Sequence, residues 1–256
     1  VFGTLSDGRE AALYTLKNAA GMTLVVTPYG CRIIQLLVPD KDGNLGDVVL
    51  GHRTLEEYFG ANYQGTFVGR YANRIGGAEF TLNGKTYTLA KNDGNNTLHG
   101  GPGGYHQVLW DAQAQDGEEP SITFTHTSPD GDEGYPGTLQ MTVTYTLKKD
   151  NTLALRYDAV CDQETPFNPT NHSFFNLSGD PQKDVLGTYT TDFSSSSSAR
   201  AKNLEVGSAK LNGHVLMPGE TLSGYECLQP FTRANGYEPA ASYENGQVVD
   251  SIGGGV

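Results

Sequence analysis

The chain has 256 residues, a net charge of −12 at pH 7, 37% hydrophobic residues and a mean hydropathy of −0.42. Phosphate backbones and anionic lipid repel so acidic a chain, and no apolar run approaches the roughly 20 residues of a membrane helix, so nucleic acid and membrane are set aside as partners. With 33 glycines and 14 tyrosines, the composition favours strands joined by tight turns over helices.

In chain order, β-branched and alternating runs predict strands at Met22 to Pro28, Arg32 to Val38 and Asp47 to Leu50. Thr54 to Tyr58 predicts one short helical turn, capped by Thr54 with Glu57 three residues on. Phe80 to Leu89 reads as a hairpin turning at Asn83-Gly84-Lys85, with Asn-Gly as the signal. Further strands are expected at Ser121 to Thr127, Leu139 to Leu147 and Thr152 to Val160. The second of these alternates almost throughout, as suits a sheet with one wet face. Ser194 to Ser198 reads as a loop. With no linker and no repeat, the expectation is one all-β domain over 1–256, a sandwich of antiparallel strands with few short helices.

The histidines are His52, His99, His106, His126, His172 and His214, and none is paired at metal-binding spacing. Asp130 to Gly134 lacks the ligand positions of a calcium loop and reads as a solvated acidic turn. There is no phosphate-binding loop, dinucleotide fingerprint or nucleophile elbow. No metal and no cofactor is therefore expected. Gly100 to Gly104 reads as a loop letting the backbone pass close to something. Cys31, Cys161 and Cys227 are odd in number and far apart, which reads as a reducing compartment. With no visible signal peptide, a cytoplasmic protein is expected, its N-terminus trimmed before Val1.

Three segments carry candidate chemistry. Val68 to Gly76 places Arg70, Asn73 and Arg74 in a mostly apolar stretch, and arginine offers a fixed fork of donors to sugar hydroxyls. A structural ion pair is the competing reading for either arginine. Asn95 to Gly101 sets His99 before a flexible loop. Pro166 to Leu177 surrounds His172 with polar donors and then aromatics, which suits a pyranose with one apolar face. Alternation requires one of Phe174 and Phe175 to point into the core.

These segments, as G-R-Y-A-N-R-I, N-T-L-H-G-G and T-N-H-S-F-F-N-L-S-G, resemble the aldose 1-epimerase family. Leu55-Glu56-Glu57-Tyr58 and the stretch from Ser128 to Gly137 add to the likeness. The resemblance implies a galactose mutarotase-like β-super-sandwich and cofactor-free interconversion of the α and β anomers of galactose and glucose. It gives Arg74, with Asn73 beside it, as the sugar-contacting pair. It gives His99 as a site histidine that also contacts sugar, and His172 as general acid; Arg70 is read as structural. His172 would protonate the ring oxygen while His99 and Arg74 steady developing charge.

The family's base is a glutamate on a late strand, after an Asp-His motif that follows a glycine-rich turn. Ser251 to Val256 is read as that turn, so the base is expected to be absent from these 256 residues. Glu79, Asp93, Glu133 and Glu164 are the carboxylates near the motifs that would have to substitute. A non-catalytic sugar-binding or sensory domain is the competing class. A hexose 6-phosphate epimerase would want more basic residues than the 17 present. The expected partner is an aldose monosaccharide.

Overall fold

The computed structural model describes residues 1–60, 62–180 and 182 in full, and the strand backbones at 202–206, 209–216, 221–228, 242–244 and 247–249. Two antiparallel sheets form the body. One has four strands in the order Tyr14–Lys17, Thr23–Thr27, Arg32–Pro39 and Leu45–Asp47. The other has five, in the order Asp111–Gln115, Ser121–Ser128, Leu139–Leu147, Leu153–Cys161 and Thr221–Leu228. Helical structure among the described residues is confined to three-residue 3-10 turns.

The alternation in Leu139–Leu147 does what the pattern requires. Leu139, Met141, Val143, Tyr145 and Leu147 are buried, while the residues between them are at least partly open. They meet Leu24, Val26, Ile33 and Leu36 of the four-stranded sheet in one core that also takes in Phe67, Trp110, Phe124 and Phe167. Burying each such side chain is worth about 1.5–3 kcal/mol. Cys31 and Cys161 lie in this core as free thiols, and burial pushes the Cys31 thiol well up.

The Asn83-Gly84 hairpin forms as read. Lys85 pairs with Leu82, and both turn residues have positive φ (51° and 76°), the signature of a type I′ turn. Two expectations shift. The strand expected at Asp47 to Leu50 ends at Asp47, and Val49 makes only a bridge to Phe175. The helical turn spans Glu56–Tyr58, and Thr54 does not cap it. Instead the Glu57 carboxylate accepts the Thr54 N–H (3.0 Å) and hydroxyl (3.1 Å). The Asp130–Gly134 turn is also less free than expected. Asp130 accepts the Gly137 N–H, and Asp132 accepts the Ser128 hydroxyl, both at 2.6 Å. The Ser194 to Ser198 loop lies outside the described residues.

A third set of short ladders carries the site. Phe67–Val68 pairs with Thr170–Asn171, and Arg74–Ile75 pairs with Thr97–Leu98. The segment from 62 to 75 is therefore a spine with the His172 strand against one end and the His99 strand against the other.

Candidate functional site

His172 is fixed by its backbone on both sides: its N–H donates to the Thr66 carbonyl (2.7 Å), and its carbonyl accepts the Gly65 N–H (3.1 Å). His99 is held twice by one residue. Its N–H donates to the Asn73 carbonyl, and its Nδ1 accepts the Asn73 N–H, each at 3.0 Å. A nitrogen that accepts cannot also hold the proton, so the neutral ring of His99 carries its hydrogen on Nε2. Asn73 (φ 64°) and His99 (φ 52°) both sit in the left-handed region, as that reciprocal clasp requires.

Together these supports bring into contact two rings 73 positions apart in the sequence: the His99 and His172 imidazoles meet edge to face, centroids 4.9 Å apart. Burial, then the neighbouring His172 and Arg74, lower the pKa of His99 from 6.5 to about 4. Burial also lowers that of His172. Both are therefore neutral at pH 7 in the free site.

A cleft of about 330 Å³ opens beside His172, lined with Asn62, Tyr63, Gln64 and Phe174. Phe174 is 44% exposed and packs on the His172 ring, while Phe175 packs against the core. The pair divides as alternation demands. Amides, an imidazole and two aromatic faces suit a neutral, hydroxyl-rich ligand with an apolar side.

Arg74 stands at the rim with an exposed side chain. Its Nε donates to Asp93 (2.6 Å), and an Nη donates to the Asn73 side-chain oxygen (3.3 Å). The structure thus joins Asn73 and Arg74 to His99, and His99 to His172, but only His172 of these four lines the cleft. Arg70 is buried. Its guanidinium donates to the Pro136 and Gly137 carbonyls and to the hydroxyls of Ser128 and Thr165.

Of the four carboxylates considered as substitutes for the base, Asp93 is engaged with Arg74 and Glu164 with the Asn83 side chain. Glu133 lies over Gly101 and Gly103, and Glu79, which begins the hairpin, does not line the cleft. The glycine loop after His99 makes the close approach expected of it. A Cβ on Gly100 (φ 85°) would lie 1.9 Å from the Gly69 carbonyl oxygen. Gly100→Ala is therefore expected to cost about 2 kcal/mol or more in urea unfolding, from clash and left-handed strain together.

Sequence reasoning missed Asn62, Tyr63, Gln64, Arg32 and His106. No motif marks them. Arg32 is fully buried and holds the cleft floor, its two terminal nitrogens donating to the carbonyls of Asn62, Gln64 and His106 (2.8–3.2 Å). Burial lowers its pKa to about 10.

Residues 12–221 match the family model described as aldose 1-epimerase. The chain belongs to that family. It is 44% identical over 180 residues to the galactose mutarotase of Sus scrofa, covering 70% of this chain and 52% of that protein. It is 39% identical over 180 residues to the aldose 1-epimerase of Escherichia coli (strain K12), with 70% and 51% covered. Among solved structures it is similar to galactose 1-epimerase from Lactobacillus acidophilus NCFM (34% identity, TM-score 0.62, 69% of this chain and 52% of that one). It is also similar to the GalM/aldose epimerase homologue from C. elegans (35% identity, TM-score 0.63, 67% and 52%). The fold is accordingly the galactose mutarotase-like β-sandwich. The chain spans about half the length of the curated relatives it matches.

Residues 199–256 are similar to a second family, described as VanW like protein, and the two matches overlap at 199–221. The glycines near Val256, read above as the turn before the epimerase Asp-His motif, thus fall beyond the epimerase match and inside the other. Among the described residues no helix is long and apolar enough to cross a membrane, and no cluster of three metal-ligating side chains occurs.

Proposed function

We propose that the cleft beside His172 binds an aldohexose such as galactose or glucose, and that the chemistry of the site is interconversion of its α and β anomers. The contact between the His99 and His172 rings, with His172 lining an uncharged cleft, carries this reading. Mutarotation removes a proton from the C1 hydroxyl and delivers one to the ring oxygen; rotation about C1–C2 and reclosure give the other anomer. His172 is assigned the ring-oxygen proton, delivered from the protonated form of its ring and recovered when the sugar recloses. His99 and Arg74 are assigned the sugar oxygens, with Asn73 as the clasp that fixes the His99 tautomer. No cofactor enters the scheme, and a cytoplasmic location belongs to the same reading.

The proton from C1 needs a base, and the resemblance assigns that role to a late glutamate. The cleft lining holds no carboxylate among the described residues. That observation favours a second reading for these 256 residues, sugar binding without turnover. On organisation, the VanW-like match over 199–256 overlaps the epimerase match and takes in Thr221–Leu228, a strand of the five-stranded sheet, so a single domain stays the proposal.

NMR with galactose separates the readings. Sugar-dependent shifts of the His172 resonances, with saturation transfer between anomers that vanishes in His172→Asn, support the mutarotase. Shifts without transfer support the binding domain. No sugar-dependent shift at millimolar galactose refutes both.

A further inference from the structure

One ring packs against three histidines. The Tyr63 phenol lies 4.6 Å from the His99 ring, 5.9 Å from the His172 ring, nearly parallel to it at 29°, and 4.7 Å from the His106 ring. Tyr63 is half-buried and also lines the cleft. Behind it, His106 is 1% exposed. The Gln107 side-chain nitrogen donates to His106 Nε2 (3.2 Å), so the His106 proton sits on Nδ1, a buried nitrogen with no partner among the described residues. The Arg32 guanidinium ties the backbones of Asn62, Gln64 and His106 together, so Tyr63 is carried on a segment anchored on both sides.

We propose that Tyr63 is a positioning residue of the site: packed against both imidazoles and backed by His106, its ring fixes their edge-to-face geometry and shuts water from the side they share. This rests on the reading of His99 and His172 as the working pair, but not on turnover or on sugar. The physical reason is that imidazoles 4.9 Å apart cannot both be charged without strong repulsion, and a dry aromatic wall disfavours charge on either. The groups that face them otherwise are few. His99 sees His172, Arg74, Asp93 and His106, of which only Asp93 favours its protonation, and the charged groups at the rim stand on the His99 side. His172 has His99, Tyr63 and the apolar Phe174 against it. Water exclusion by Tyr63 is therefore the shared influence on the two rings.

The test is histidine titration by NMR on the full chain. In Tyr63→Ala the midpoints of both His99 and His172 are expected to rise toward the ordinary imidazole value, that of His99 by about one pH unit. In Tyr63→Phe, which keeps the ring, both are expected to stay where they are. His126, packed on Tyr105 and Trp110, reports that the fold is intact and should keep its own midpoint in every variant. Should Tyr63→Ala lose the His126 signal, Tyr63→Leu takes its place, with a smaller rise expected. Unmoved midpoints in Ala and Leu variants that retain the His126 signal overturn the proposal, as does a Phe variant that behaves like Ala. Failure of galactose to shift His172 would count against the functional reading and leave this result standing.

Discussion

Acidification from pH 7 to pH 4 is expected to remove several kcal/mol of folding stability, most of it through two histidines. His99 has its pKa lowered to about 4 and His106 to about 3, in each case chiefly by burial. An unfolded chain titrates both near 6.5, so between 6.5 and the lowered value the unfolded state binds the proton and the folded state does not. Stability is full above pH 6.5 and falls as pH drops through that window, levelling near pH 4 for His99 and near pH 3 for His106. At about 1.4 kcal/mol per pH unit per group, each loses roughly 3 kcal/mol by pH 4. His172 and His126 act in the same direction. Asp47 and Glu133 act oppositely, since burial raises their pKa and protonation relieves that cost at low pH. Urea unfolding across a pH series measures the sum. His99→Asn and His106→Gln should each flatten the profile by that histidine's share, and a level profile from 6.5 to 4 would refute the account.

Replacing Arg32 by methionine is expected to destabilise the chain by about 3–5 kcal/mol. Exchanging a buried ion pair for apolar groups is often harmless, because both charges leave together. Arg32 has no carboxylate partner in its hydrogen-bond set. It is held by three backbone carbonyls and by the faces of Tyr58 (4.5 Å) and Tyr29 (5.8 Å). Methionine fills the space but leaves the carbonyls of Asn62, Gln64 and His106 without the donors that hold them, the last of these fully buried. Lysine keeps a charge but cannot fork across three acceptors, so an intermediate loss is expected. The floor of the cleft is the same stretch, so sugar-induced shifts at His172 should weaken in step with the loss of stability. A methionine variant within about 1 kcal/mol of the parent in urea unfolding would contradict this role.

Much of the frame was legible in the residues. The alternation in Leu139–Leu147 fixes which face is buried, because a strand has a period of two whatever surrounds it. Asn83-Gly84 fixes a hairpin, because few other pairs take two positive φ angles cheaply. Phe174 and Phe175 were bound to part, one to the cleft and one to the core. The family motifs likewise single out Arg74, His99 and His172, the residues to which the proposed function assigns its roles.

The environment of those residues was not legible, because it is set by groups distant in sequence. Arg32 carries no motif and reads as one polar residue opening a strand; only packing buries it beneath residues some 30 positions away. Tyr63 stands in a plain stretch of loop, and its contact with three histidines exists only once two separate ladders meet at one end of the sandwich. A sequence states which groups can titrate or donate. How far a proton's affinity moves depends on the water that folding removes, and that is decided by tertiary structure alone.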